Sequence, residues 1–159
     1  MQTYQVGLIA LGILGILASL AFLSWRRKVA VQSAIIPAPR FLEDHPVKKG
    51  VLYATTTFAD RPLDRVFAHG LGNRGFAEIR FSNLGVEIFR TGERSFLIPA
   101  NDLVSVARST AVIDRVVEDG GLTSIRWRLG ENELETHFRF VSATLRAQVH
   151  AELSQMVGA

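Results

Sequence analysis

The residue types best able to do chemistry in this 159-residue chain gather at one place, Gly70-Leu-Gly72-Asn-Arg-Gly75, preceded by His69 and flanked by Arg65 and Arg74. The three glycines match G-x-G-x-x-G. That spacing lets a backbone wrap a pyrophosphate when a strand precedes it and a helix follows. Here the next stretch, FAEIRF (76–81), alternates apolar and charged residues, the period of a strand. No helix dipole then points at the loop, so the dinucleotide reading is rejected. Two readings stay open. The loop could expose backbone N–H groups as a nest for a phosphate or another anion, or it could be a tight connection whose glycines supply positive φ.

The rest of the chain offers little catalytic material. His45, His69, His137 and His150 are scattered, and none has a partner at metal-ligand spacing such as H-x-x-x-H. No serine lies in a G-x-S-x-G elbow. The absence of cysteine removes disulfides, thiolate metal sites and thiol nucleophiles together. The acids of 131–135 belong to a hairpin whose charged face should meet solvent. The sequence therefore predicts no catalytic residue, no metal and no cofactor, and reads as a non-enzyme.

What must position these residues begins with an apolar run over 6–25, VGLIALGILGILASLAFLSW, which carries no charge. At ~1.5 Å per residue it spans roughly 30 Å, the thickness of a bilayer's hydrocarbon core. Tyr4 and Trp25 bracket it where amphipathic rings prefer to sit. A cleaved secretory signal would need a basic leader, a shorter apolar core and a small-residue cleavage site. MQTYQ has no basic residue, and Ser24-Trp25-Arg26 is a poor site. The cluster Arg26, Arg27 and Lys28 follows the run instead, so the positive-inside rule predicts the N-terminus outside and the remainder in the cytoplasm. Gly12, Gly15 and Ser19 fall on one small-residue face, where a partner helix or a second copy could approach. Glycine is also simply common in membrane spans, and nothing else supports a homodimer.

Charge is unevenly spread. Residues 26–49 carry a net +4, whereas 50–159 carry a net −1. The basic excess is juxtamembrane, suited to an anionic leaflet. It gives no basic face for nucleic acid. The reading divides the chain into an anchor with its basic flank (1–28), a juxtamembrane linker (29–49) and a folded domain (50–159). RRKVAVQSA could extend the helix a turn or two before Pro37 and Pro39 stop it.

The domain has the period of strands. VLYATTTF (51–58) is rich in β-branched and aromatic residues, and Asn83-Leu-Gly85 and Thr91-Gly92-Glu93 punctuate further short strands. VIDRVV (112–117) ends at a turn signal over 118–121. The clearest hairpin turns at Gly130-Glu131-Asn132. Pairing Trp127 with Leu134 or with Thr136 would set arginines opposite glutamates on the other face. Ser142 N-caps a last helix over 142–157 with Leu145, Val149, Leu153, Met156 and Val157 as its apolar stripe. About seven strands and one terminal helix are expected.

These features resemble the bacterial pleckstrin-homology-like (PH-like) domains, and more narrowly the actinobacterial single-pass membrane proteins that carry one. The resembling residues are Tyr53-Ala-Thr-Thr56, Leu63-Asp-Arg65, His69-Gly-Leu-Gly72 with Arg74-Gly75, Gly85-Val86, Ile98-Pro99, Gly120-Gly121-Leu122, Trp127-x-Leu129-Gly130, Leu134-Glu-Thr136 and Phe138-Arg139. The resemblance implies a bent antiparallel sheet, or partly open barrel, capped by the C-terminal helix, in a membrane-anchored, non-catalytic module. The best-known PH relatives bind phosphoinositides through a basic first hairpin. The matching strands here offer only Arg61, Arg65 and Arg74 among Asp60 and Asp64, so that ligand does not carry over.

The function expected is a binding or scaffolding module that holds a protein partner at the membrane, with Arg65, His69, Gly70, Gly72, Arg74 and Gly75 as its surface. The alternative is an accessory subunit of a transporter or respiratory complex, contacting it through the small-residue face of the anchor.

Overall fold

The computed structural model describes residues 3–48, 50–109, 111–112, 115–116 and 122–158. Helix α1 (Thr3–Ile35) is continuous over 33 residues, because no proline interrupts it before Pro37. Over 6–23 it is apolar on every side and exposed throughout. Leu8, Ile9 and Leu14 are 67%, 57% and 66% exposed although they point in different directions around the helix. The helix is long and apolar enough to cross a membrane. It continues ten residues beyond Trp25, almost three turns, further than the basic flank alone suggests.

The strands follow as β1 (Arg40–Phe41), β2 (Val51–Phe58), β3 (Gly75–Ser82), β4 (Gly85–Arg90), β5 (Phe96–Pro99), β6 (Leu103–Ser109), β7 (Ala111–Val112), β8 (Arg115–Val116), β9 (Leu122–Leu129) and β10 (Asn132–Phe140), then helix α2 (Ala143–Val157). Eight of them form one antiparallel open sheet in the order β1-β5-β4-β3-β2-β10-β9-β6, and β7 pairs with β8 separately. The architecture is the expected one, with eight strands in the main sheet in place of about seven. The stretch 112–117, expected as one strand, is divided instead, since Val112 of β7 pairs antiparallel with Arg115 of β8; residues 113, 114 and 117 and the turn over 118–121 lie outside the described residues.

Alternation sets the register. Trp127 pairs with Leu134, which puts Arg126 opposite Glu135 and Arg128 opposite Glu133. Both ion pairs form at 3.6 Å, so of the two registers left open the one centred on Trp127–Leu134 is realised. Their partly exposed positions limit each to a fraction of about 1 kcal/mol. Gly85 follows the Asn83-Leu84 turn at φ +142°, and a Cβ there would overlap the Ile98 carbonyl oxygen on β5. Only glycine fits that approach.

Between the sheet's inner face and α2 lies one core that includes Tyr53, Ile88, Phe96, Ile125, Trp127, Leu134 and Phe138, all fully buried, with Val149 and Leu153 from the helix. Trp127 stacks on Phe96 at 5.8 Å, and Tyr53 meets Phe138 edge-on at 5.6 Å. A polar chain threads the middle. Trp127 Nε1 donates to Thr136 Oγ1 at 2.9 Å, Thr136 and Thr56 share a hydrogen bond at 2.8 Å, Thr56 bonds the Tyr53 hydroxyl, and that hydroxyl donates to the Leu71 carbonyl at 2.7 Å. Burial pushes the Tyr53 phenol up to about 12 despite the Arg90 cation nearby, so it stays a donor. Ser142 caps α2 by accepting from the Leu145 N–H.

Two expectations are corrected. The stretch 29–49 is not a plain linker. Residues 29–35 continue α1, Ile36 is fully buried in the domain core, and Arg40 and Phe41 pair with Leu97 and Phe96 as an added edge strand. Two residues carry no readable period, so this strand has no signature in sequence. His137, on the face of the last hairpin expected to meet solvent, is only 4% exposed. Its Nε2 lies 3.3 Å from Thr57 Oγ1, while Nδ1 has no partner.

Candidate functional site

The connection between β2 and β3 (residues 59–74) and the β9–β10 turn both meet the end of α1, and the β4–β5 turn is tied to that connection by Asn73 and Glu93. That convergence makes the seam between helix and domain a densely hydrogen-bonded site among the described residues.

Gln32 is its hub. The residue lies in the last full turn of α1 and is 6% exposed. Its carboxamide oxygen accepts from the backbone N–H of Phe67 at 2.7 Å and of Ala68 at 3.3 Å, and its Nε2 donates to the Arg65 carbonyl at 2.9 Å. One side chain thus satisfies three backbone groups of the long loop. Each would cost about 1–3 kcal/mol if left buried and unpaired.

Further contacts flank the hub. Lys28 Nζ bonds Asp64 at 2.9 Å, and His69 Nε2 donates to the Ile36 carbonyl at 2.9 Å. Asn132 Nδ2, from the β9–β10 turn, donates to the Ile35 carbonyl at 3.3 Å. The carbonyl of Ile35, the last residue of α1, which no helical N–H reaches, and that of Ile36 just beyond it are therefore taken by the domain. Pro37 packs on Gly130, where a Cβ would come within 2.9 Å of its ring. Phe41 sits under the Arg94 guanidinium at 4.0 Å with the His69 ring edge-on at 6.5 Å.

Arg90 ties the loop to the sheet from behind. Only 5% exposed, it donates from Nη1 to the Gly70 carbonyl at 2.9 Å and from Nη2 and Nε to the Arg94 carbonyl at 2.8 and 3.1 Å. Its guanidinium covers the rings of Tyr53 at 4.8 Å and Phe96 at 5.2 Å. Burial pulls its pKa below the usual arginine value, although Tyr53 and Glu93 pull the other way. Asn73 Nδ2 donates to Glu93 at 2.6 Å, joining the loop to the β4–β5 turn.

The sequence-predicted residues distribute themselves around this seam. Arg65 is half-buried, bridged to Thr57 of β2 through the backbone, with its carbonyl on Gln32. His69 adopts φ +56°, a left-handed conformation that costs a non-glycine residue roughly 1–2 kcal/mol. Its hydrogen bond to α1 holds it there. Gly70 has φ +72°, and Gly72 lies so near the Val66 carbonyl that a Cβ would approach it to 2.9 Å. The N–H groups of Gly70, Leu71 and Asn73 donate to the carbonyls of Phe67, Ala68 and Gly70, within the loop itself. Gly75 opens β3 opposite Tyr53, and Arg74 is exposed at the loop's outer end.

The other predicted groups lie along α1. The Arg26 guanidinium is 5.9 Å from the Phe22 ring, and Lys28 is 5.5 Å from the Phe67 ring. Gly12 and Gly15 face open space, and Ser19 Oγ donates to the Gly15 carbonyl at 2.8 Å. Among the described residues no three histidine or acidic side chains gather as a metal site would require.

Sequence reasoning missed Gln32, Ile36, Asn132 and Arg90. Gln32, Asn132 and Arg90 bond backbone groups of other loops and elements, and Ile36 enters the core, so no local spacing announces them.

With the seam in view, the match to known families acquires a meaning. Residues 32–154 match the bacterial PH domain-like family. The chain belongs to that family. Its match begins at Gln32, the first position of α1 whose side chain the domain buries, so the helix end is part of the PH-like unit and the preceding apolar helix is an addition to it. PH-like domains are generally not enzymes. No curated protein and no solved structure matches the chain.

Proposed function

We propose that this PH-like protein is a non-catalytic binding module fixed to a bacterial inner membrane by α1, with its N-terminus outside and its domain in the cytoplasm, where it recruits or stabilises a protein partner. One observation carries the reading. A single helix is uncovered and apolar for two thirds of its length and is built into the domain core at its end. A contiguous apolar surface of that size calls for a non-aqueous environment, and a bilayer supplies it. Because Gln32 and Ile36 lock the helix end, the domain does not swing on a tether. It presents a defined surface at a defined height above the lipid.

The partner surface is the outer side of the 59–74 loop, where Arg74 is exposed and His69 holds the loop to the end of α1. Detergent-extracted full-length chain should retrieve a reproducible set of membrane-associated proteins, and Arg74→Ala should deplete it. Recovery in unchanged yield would remove this surface from the account.

A second reading is favoured by the open space at Gly12 and Gly15. There the chain is an accessory subunit of a membrane transporter or respiratory complex, held through the Gly12, Gly15 and Ser19 face. Replacing residues 4–25 with an unrelated apolar helix separates the two. Association survives the swap if the domain binds and is lost if the helix does.

A further inference from the structure

Between the flank of α1 and the domain runs a cleft of about 400 Å³. Arg27, Lys28 and Val31 line it on the helix, and Phe58, Arg61 and Asp64 line it on the domain. Its near end reaches Ser24, inside the apolar run. We infer that this cleft seats the phosphate of an anionic phospholipid drawn from the leaflet the domain faces, an inference that rests on the membrane-anchored reading above.

Depth is the first argument. From Ser24 to Arg27 the helix rises about 5 Å. The headgroup layer on each side of the hydrocarbon core is roughly 5–7 Å thick. With the apolar run in the core, Arg27 therefore stands within the layer of lipid phosphates.

Charge is the second. Three cations line the cleft against one acid, and Asp60, 3.5 Å from Arg61, lies outside the lining. Lys28 is bound to Asp64, and Arg61 leans on Phe58 at 4.3 Å while touching Asp64 at 3.2 Å. Arg27 has no carboxylate within ion-pair distance among the described residues. A phosphate between Arg27 and Arg61 would complete both guanidinium groups with charge-assisted hydrogen bonds.

The wall is the third. Val31 and Phe58 give an apolar surface for the carbon-bearing remainder of a lipid headgroup, which a free phosphate would leave bare. The site belongs to neither part alone. The domain supplies one of the three cations, α1 supplies two, and the Gln32 seam holds them across from each other.

The test uses full-length protein in mild detergent, where retention does not depend on whether α1 spans a bilayer. Native mass spectrometry would follow titration with phosphatidylglycerol, phosphatidylcholine and inorganic phosphate. The expected result is one phosphatidylglycerol held at least fivefold more than phosphatidylcholine. Combined Arg27→Ala and Arg61→Ala should abolish the preference, and Arg108→Ala, an exposed arginine outside the cleft, should leave it intact. Equal retention of the two lipids, or a preference that survives the double substitution, overturns the inference. Inorganic phosphate that displaces the lipid at equal concentration assigns the site to a soluble anion and overturns it also. Alkaline carbonate extraction of native membranes reads the anchor separately, so loss of the membrane reading would not be mistaken for loss of the cleft.

Discussion

The two parts of α1 share one secondary structure and are satisfied in opposite ways. Over 6–23 the helix is exposed on all sides, and its side chains differ little from one face to the next. Any residue there can be exchanged for another apolar one of similar size. Over 26–35 the helix mixes charged, polar and apolar residues, and particular atoms decide its position, above all the Gln32 carboxamide and the Ile36 carbonyl just beyond it. The first part answers to a solvent and the second to named partners. Substitutions should therefore follow hydrophobicity alone in the first part and geometry in the second.

The largest break is expected from a charge in the apolar part. Leu14→Arg exchanges a residue favouring insertion by roughly 0.5 kcal/mol for one opposing it by ~3 kcal/mol. Carbonate resistance should fall sharply, whereas Leu14→Ile should leave it unchanged. At the other end, Gln32→Ala strands two N–H groups and a carbonyl, at a cost of about 3 kcal/mol. The damage should be local. Amide exchange at Phe67 and Ala68 should accelerate while Trp127 and its hairpin keep their protection, and equal acceleration throughout would mean that the seam is not a separate unit.

A pH ramp sharpens the contrast between seam and sheet. Burial pulls the His137 imidazole below the ordinary histidine range, with Glu135 pulling the other way. A lowered folded-state value means that the unfolded chain takes up the proton first. Stability is then complete above about pH 6.5 and declines as pH falls from there toward the folded value. The urea midpoint of the full-length protein should drop between pH 7 and pH 5, and His137→Gln should flatten that slope. An unaltered slope would place the titration elsewhere. Smallest of all, Lys28→Ala breaks an ion pair whose side chains are 49% and 28% exposed, and should cost less than about 1 kcal/mol. An effect as large as that of Gln32→Ala would show that charge, not the amide hub, holds the helix.

The parts legible in sequence were those governed by a period or a local cap. Alternation around Trp127 and Leu134 fixed the last hairpin to within two registers, and Ser142 with the stripe Val149–Leu153 fixed α2. Continuous hydropathy over 6–25 fixed α1. The seam was illegible for a definite reason. A glutamine in a helix normally faces water, and nothing near Gln32 says that it meets backbone groups 33 to 36 residues away. Arg90 ends a strand like many surface arginines, and its burial depends on carbonyls of two separate loops. The glycines of 70–75 advertised a phosphate loop by spacing alone. Here φ at Gly70 and the clearance at Gly72 account for two of the three.

Whether Gln32 and Ile36 join the apolar helix and the PH-like domain into one rigid body is open to direct measurement. Because the chain has no cysteine, spin labels at Ala18→Cys and Arg128→Cys would be unique. Their distance distribution, measured by pulsed electron resonance on the full-length protein in lipid nanodiscs, should be a single narrow population that Gln32→Ala broadens. A broad distribution in the otherwise unaltered protein would contradict a rigid join.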